Sequence, residues 1–404
     1  MKSFATHLEC SRGGEDYPID QPAQVCKIDG GPLLVRYDLG RIRETVRRDA
    51  LAGRAGTLWR YRELLPYEGP ATIVSLGEPN TPVIGAPRLG ERLGITHLLI
   101  KDEGLLPTGT FKARGAAVGV TRAAELGVRT LALPSAGNAG AAWAAYGARA
   151  GIRVIVVMPE GTPQVIVREA SAYGADVYLV PGSISDAGAA VKDACAKHGW
   201  YDASTLHEPY RIEGKKTMGF ELAEQLGWRV PDVIVYPTGG GVGLIGMWKA
   251  FDELRALGWL DDKRPRFVAA QAAGCAPIVE ALAWGLDEAQ AWPEPVTFAA
   301  GIRVPKPLGD FIVLRALREN GGTAVAVTDE KIAETMGVAG VSEGLLLCPE
   351  GAAALAAAAE LRASDWIAET DEVVVFNTGT GLKYAEFLQG REARRLASGE
   401  LPTA

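Results

Sequence analysis

Leu99-Ile100-Lys101-Asp102-Glu103-Gly104-Leu105-Leu106-Pro107-Thr108-Gly109-Thr110-Phe111-Lys112-Ala113-Arg114-Gly115 is the stretch from which the rest of the chain can be read. A short apolar strand at 98–100 runs into a loop rich in glycine and proline, and the loop delivers Lys112 to the first turn of an alanine-rich helix. Unsatisfied N–H groups at a helix start carry partial positive charge, which disfavours a protonated amine and favours a nucleophilic one. A lysine that forms a Schiff base needs that property. Taken alone, a lysine at a helix start is ordinarily a solvated surface residue, so its assignment rests on what the other loops carry.

From His97 onward the pattern alternates strand and helix. Strands are expected at 98–100, 130–133, 154–158, 177–180, 233–236, 267–271, 324–327 and 373–376, and helices at 139–150, 163–173, 184–198, 218–226 and 244–257. The strands are runs of valine, isoleucine and leucine without polar alternation, which suits parallel sheets covered on both faces. Alternating elements of this kind indicate an open α/β architecture. Upstream, 41–53 has a helical pattern, and 73–76 reads as a strand followed by the turn residues Gly77-Glu78-Pro79-Asn80-Thr81-Pro82.

Open α/β sheets bind ligands beyond the carboxyl ends of their strands, so the loops there carry the functional signal. After 130–133 comes Ser135-Ala136-Gly137-Asn138-Ala139, a polar turn opening a helix whose bare N–H groups suit a carboxylate. An ordinary helix cap would look the same. After 233–236 comes Thr238-Gly239-Gly240-Gly241-Val242-Gly243, where the backbone can fold around an anion, most naturally a phosphate. It lacks the Gly-Lys-Ser/Thr of a Walker loop. It also lacks the complete dinucleotide fingerprint and its acidic ribose contact, which argues against NAD. After 373–376, Asn377-Thr378-Gly379-Thr380-Gly381 places the neutral hydroxyl of Thr378 at a strand end.

Charge and composition narrow the partners. The 404 residues allow two lobes. The net charge of −7, with no basic tract, argues against nucleic acid or an anionic membrane as the main partner. No apolar run approaches the roughly 18 residues of a membrane helix, and the N-terminus lacks the apolar core of a secretion signal. Five scattered cysteines make no disulfide framework. A cytoplasmic protein acting on a small molecule is expected. Cys10-Ser11-Arg12-Gly13 and Cys26-Lys27-Ile28-Asp29 look like the two halves of a zinc ribbon with a cysteine missing from each. Two thiols and at most one carboxylate fall short of the four ligands of a structural zinc, so no metal is expected.

In this order, the lysine loop, the Ser-x-Gly-Asn turn, the glycine loop and the Thr-Gly loop resemble those of pyridoxal-phosphate enzymes of the tryptophan-synthase-like fold, fold type II. The chain is most similar to threonine synthases, over nearly its whole length. Ser75-Leu76-Gly77-Glu78-Pro79-Asn80-Thr81-Pro82, Lys101-Asp102-Glu103-Gly104 and the degenerate ribbon leading into Gly30-Gly31-Pro32 add to the match. The resemblance implies two open α/β lobes with mostly parallel sheets and a degenerate zinc-ribbon-like N-terminal segment. Residues 1–70 would form an N-terminal extension and 71–404 the catalytic region, with a small lobe at about 110–205 inserted in the large one.

It also implies roles. Lys112 would be the Schiff-base lysine and the base that moves protons, with Phe111 packed on the cofactor ring. Asn138 would bond the ring oxygen, and Ser135, Ala136, Gly137, Asn138 and Ala139 would hold the substrate carboxylate. Thr238, Gly239, Gly240, Gly241, Val242 and Gly243 would cradle the cofactor phosphate, and Thr378 would face the pyridine nitrogen. A homodimer is the usual form of the family.

The leading activity is conversion of O-phospho-L-homoserine and water to L-threonine and phosphate, by elimination and β-addition of water. A substrate phosphate needs cationic partners. Arg114, Arg168, Arg303 and Lys306 are candidates, the last two in the loop Gly301-Ile302-Arg303-Val304-Pro305-Lys306-Pro307. The alternative is a β-eliminating or β-replacing enzyme such as a serine/threonine ammonia-lyase. Ala113 favours it, standing where threonine synthases usually carry aspartate, as does a glycine loop without asparagine; residues 158–165 lack a lysine that often follows in both families. A catalytically silent paralogue is disfavoured by retention of Lys112. Cys348, where many relatives carry glutamate, has no assigned role.

Overall fold

Residues with alternating neighbours on two sides build the main sheet of this computed structural model, which describes residues 3–388 and 390. Residues 391–404 of the expected catalytic region lie outside the described residues. Along its strands Val233, Val235, Val373 and Val375 pack toward the alanine-rich helix Pro349–Ala363. Ile234, Tyr236, Val374 and Phe376 face the opposite cluster, which includes the helices Arg211–Gln225 and Val242–Ala256. Alanine on the helix leaves room for the β-branched side chains of the sheet.

The strands are β1 (Ala5–Cys10), β2 (Asp16–Pro18), β3 (Leu33–Tyr37), β4 (Val83–Gly85), β5 (His97–Asp102), β6 (Thr130–Pro134), β7 (Arg153–Pro159), β8 (Asp176–Val180), β9 (Tyr201–Asp202), β10 (Val233–Pro237), β11 (Arg266–Ala272), β12 (Thr323–Val327) and β13 (Glu372–Asn377). The large sheet has the order β12-β11-β10-β13-β5-β4, parallel except for β4. The chain leaves it after β5, builds a second, all-parallel sheet β8-β7-β6-β9, and returns at β10. The N-terminal segment is a small antiparallel sheet, β2-β1-β3.

The order of the strands positions the site. β5, β13 and β10 are adjacent and parallel, with Phe376 opposite Lys101 and Val375 opposite Val235. The loops after Asp102, Asn377 and Pro237 therefore open at the same edge. The first two are tied together, because Phe111 N–H donates to the Thr378 carbonyl at 2.9 Å. Asn377 Nδ2 also donates to Asp102 Oδ1 at 2.8 Å.

The eight strands expected between 98 and 376 are all present. Three expectations need correction. Residues 73–76 are not a strand: Thr121 Oγ1 accepts the Val74 N–H and Glu78 Oε1 the Leu76 N–H, so side chains take the bonds a sheet partner would need. The helical pattern at 41–53 splits into a helix, Leu39–Thr45, and a short 3-10 turn, Arg48–Leu51. The helix expected at 218–226 begins at Arg211, because its first turns are charged residues whose apolar period is hidden. Among the described residues no helix is long and apolar enough to cross a membrane.

Arg114, offered above as a partner for a substrate phosphate, is used inside the fold. Its guanidinium is fully buried and pairs with Glu103 at 2.6 Å and Glu221 at 3.0 Å. Lys101 Nζ joins the same Glu221 at 2.5 Å and donates to the Thr81 carbonyl at 2.7 Å. Burial pushes the Glu221 carboxyl up, but Arg114 and Lys101 outweigh it and hold its pKa at about 2. Removing one cation leaves a buried carboxylate uncompensated. Arg114→Met is expected to lower the unfolding free energy by about 3–5 kcal/mol in urea denaturation, whereas a change at the exposed Arg168 should leave it within about 0.5 kcal/mol.

Candidate active site

A cavity of about 420 Å³ lies where the loops converge. Lys112, Phe111, Asn138, Gly239, Gly240, Gly241, Val242, Gly243 and Thr378 all line it, as do Cys348 and Glu350. Lys192, Lys306 and Leu308 line its exposed rim.

Lys112 is the first residue of the helix Lys112–Glu125. Its amine has no hydrogen-bond partner among the described residues and stands 4.4 Å from the Phe111 ring centroid. Burial, then the Arg211 guanidinium, lowers its pKa to about 8, against the opposing pull of Glu350. Helix-start charge is the argument the sequence offers; burial is the larger cause. A second buried amine, Lys215 Nζ, lies 4.1 Å from the same ring centroid and donates to the Phe111 carbonyl. Burial, then Lys112, drives the Lys215 pKa well below its ordinary value. Phe111 is thus held from its carbonyl and its ring, which fixes the residue that precedes Lys112.

Within the turn after β6, Asn138 alone reaches the cavity wall. The Ser135 hydroxyl accepts the Gly140 N–H at 2.9 Å and donates to the Gly137 carbonyl at 2.7 Å, so it shapes the turn around Ala136, Gly137 and Ala139. Asn138 Nδ2 donates to the Tyr384 hydroxyl at 3.2 Å, and its Oδ1 is buried without a partner among the described residues. Tyr384 in turn donates to Glu350 Oε1 at 3.0 Å, and the Gly301 N–H donates to the same oxygen at 2.7 Å.

The glycine loop follows β10 and opens the helix Val242–Ala256. Gly241 has φ +76°, a backbone state that a side chain would strain, and a Cβ at Gly243 would collide with the Tyr236 hydroxyl. That hydroxyl is buried and has no partner among the described residues. Thr238 does not line the cavity; its hydroxyl bonds back to the Tyr236 carbonyl at 2.9 Å. Thr378 does, with its Oγ1 3.7 Å from Cys348 Sγ. Burial, then the charge of Glu350, raises the Cys348 pKa, so its thiol stays neutral.

A family model described as pyridoxal-phosphate dependent enzyme matches residues 74–379. The chain belongs to that family. The threonine synthase of Methanosarcina acetivorans is 39% identical to it over 93% of this chain and 92% of that one. The threonine synthase of Methanocaldococcus jannaschii is 38% identical over the same shares. Among solved structures, maize serine racemase superposes with a TM-score of 0.64 at 25% identity, covering 75% of this chain and 88% of that chain. The T.th. threonine deaminase does so with a TM-score of 0.62 at 26% identity, covering 74% and 92%.

The residues present fit the cofactor. They supply an unpartnered amine with a lowered pKa, a side-chain-free loop at a helix start, and two orphaned polar atoms, Asn138 Oδ1 and Tyr236 Oη. The structure does not bring every expected residue into the wall: Arg303 does not line the cavity, and Lys306 does so while pairing with Asp310 at 2.7 Å. Arg168 is exposed and outside the wall. Sequence reasoning missed Glu350, Tyr384, Lys192 and Lys215. Only Glu350 had a local signal, as an acidic residue in the first turn of the helix after Cys348.

Two measurements test the site. Capture of pyridoxal phosphate by the apoprotein, followed by absorbance, should slow about tenfold per unit below pH 8 and level off above it, because only the neutral Lys112 amine attacks. Lys112→Ala should retain pyridoxal phosphate in equilibrium dialysis yet lose turnover by at least about a thousandfold.

Proposed function

We propose that this enzyme converts O-phospho-L-homoserine and water to L-threonine and phosphate. The observation that carries the reading is its 39% and 38% identity, over 93% of the chain, to proteins named threonine synthase. Bound pyridoxal phosphate supplies an electron sink that acidifies protons at Cα and Cβ of the substrate.

The chain's own residues do the rest. The backbone N–H groups of Gly239, Gly240, Gly241, Val242 and Gly243 are assigned the cofactor phosphate, whereas Thr238, whose N–H and hydroxyl are bonded to the Ala270 and Tyr236 carbonyls, anchors the start of the loop. Asn138 is assigned the ring oxygen, Phe111 one ring face and Thr378 the ring nitrogen. Thr378 offers a neutral hydroxyl there, and the protonated Cys348 thiol beside it adds no charge. Neutral partners leave the ring nitrogen without a proton, which favours elimination and replacement over transamination. In the turn 135–139 the Ser135 and Gly137 N–H groups are bonded to the Val157 carbonyl and the Ser135 hydroxyl, so the N–H groups around Asn138 are assigned the substrate carboxylate. Lys112 Nζ, neutral above about pH 8, takes and returns the Cα proton. Glu350, whose Oε1 is already held by Gly301 and Tyr384, stands in the same wall and orients the water that adds at Cβ.

A departing phosphate needs a cation near it. Lys306 is partly committed to Asp310 and the Ala289 carbonyl. Lys192 lines the rim and makes no ion pair among the described residues, so we assign it the substrate phosphate, with Lys306 beside it and Arg303 set aside. The similarity further supports a cytoplasmic homodimer, with residues 1–70 as an extension and about 110–205 as a small lobe within 71–404.

A second reading, deamination of L-serine or L-threonine, is favoured by the likeness to the T.th. threonine deaminase at 26% identity and by Ala113 after the lysine. Purified enzyme given O-phospho-L-homoserine, L-threonine and L-serine separately is expected to release phosphate and threonine from the first alone. Oxo acids from the hydroxy amino acids, with phosphohomoserine untouched, would replace the proposal with the second reading. Lys192→Met should raise KM for phosphohomoserine about tenfold or more, as loss of one charged hydrogen bond implies.

A further inference from the structure

The N-terminal sheet carries a cluster of donor atoms that the active site does not use. Cys10 ends β1, and Cys26 opens the turn that precedes β3. Each starts a tight turn closed by a glycine: the Gly13 N–H donates to the Cys10 carbonyl at 3.1 Å and the Gly30 N–H to the Cys26 carbonyl at 2.9 Å. Within the first turn, the Arg12 N–H points at Cys10 Sγ at 3.4 Å. Backbone N–H groups aimed at sulfur stabilise negative charge there.

The two turns press together so closely that a Cβ on Gly14 would lie 3.2 Å from both sulfurs. Both thiols are free and buried. Sequence spacing alone makes Asp29 a doubtful ligand. The fold brings its carboxylate to the thiols, with Cys10 Sγ 3.4 Å and 3.6 Å from its two oxygens. One donor atom from each of Cys10, Cys26 and Asp29 lies within 4.8 Å of the other two.

We infer that Cys10, Cys26 and Asp29 bind a thiophilic divalent cation, with zinc the occupant that suits them. Two thiolates and a carboxylate match the soft-to-borderline donors that zinc takes, and the sulfurs exclude magnesium and calcium. Asp29 is exposed, so water reaches the fourth tetrahedral position. Binding displaces one proton from each thiol to solvent. The proposal departs from the expectation that two thiols and one carboxylate fall short of a metal site, because the fold brings all three together and water can supply the fourth position.

The position of the cluster gives the ion a role. On the first turn, Arg12 lies 3.9 Å over the Phe311 ring and pairs with Glu288 at 2.6 Å. Phe311 belongs to the helix Asp310–Glu319, whose Val313 abuts Gly241 of the glycine loop. Just before the second turn, Gln24 donates to the carbonyl of Asp202, a residue of the cavity wall on β9. An ion joining the turns therefore staples a contact with the large sheet's side of the cavity to a contact with the small sheet's side.

The test uses the full chain, reduced and then freed of reductant, titrated with zinc against a chromogenic chelator. One zinc per chain is expected, with protection of two thiols from a disulfide-exchange reagent. Cys26→Ser should abolish binding. Asp29→Asn, an exposed change that leaves the fold alone, should weaken it about tenfold or more with the thiol count unchanged. Cys195→Ser, outside the cluster, should bind as the parent does. Absence of binding by the reduced parent would overturn the proposal. So would affinity undisturbed in both cluster variants, or a chain two thiols short that is restored only by reductant, which would make the pair a disulfide. None of these readouts depends on the substrate of the enzyme.

Discussion

Arg114 and Lys101 sit in the interior with no exposed surface, and both are neutralised there by Glu103 and Glu221. The four charges come from a strand, the loop after it, the helix that Lys112 opens, and the helix Arg211–Gln225. Each would be costly alone. Together they fix the spacing of those elements, and Lys112 stands two residues from the guanidinium at their centre. The same stretch of chain thus provides a charge that must stay charged and an amine held near neutrality. The difference is local: Arg114 has two carboxylates within bonding distance, and Lys112 has none.

The aliphatic strands and the loops at their ends were legible because both are written in consecutive residues. Val233 to Tyr236 announces a buried strand, and the glycines after Pro237 announce a backbone meant to approach an anion. Asn138 and Thr378 could be placed for the same reason. What stayed hidden depends on partners far away in sequence. Glu350 reaches the wall because Gly301 and Tyr384 hold its oxygen. Lys192 matters because the helix Ile184–His198 brings it to the rim. Arg114 looked like a free cation until its carboxylates were in view. The N-terminal strands were missed because short antiparallel segments of mixed polarity carry little period of their own.

Neutrality recurs around the cavity. Cys348 is kept protonated by burial, Thr378 is a hydroxyl, and Lys112 and Lys215 are both pushed toward the uncharged amine. Besides the Lys112 amine, the wall carries the carboxylates of Glu350 and Asp202 and, at the rim, Lys192 and Lys306, while Arg211 is bonded to the wall residue Thr205 from behind. A dianionic cofactor phosphate entering such a site meets backbone dipoles rather than opposing side-chain charge, so its binding does not have to break an existing ion pair.

β13 lies between β10 and β5, although it is made last of the three. Its Asn377 reaches Asp102 across 275 residues. During synthesis the strands on either side of β13 are therefore made before the strand that joins them, and Lys112 is made long before the strand that closes its pocket. Without that strand, the Thr378 and Gly379 part of the wall around the amine is missing. A completed pocket for Lys112 therefore waits on the last strand of the sheet, and the edges of β5 and β10 stay unpaired until it inserts.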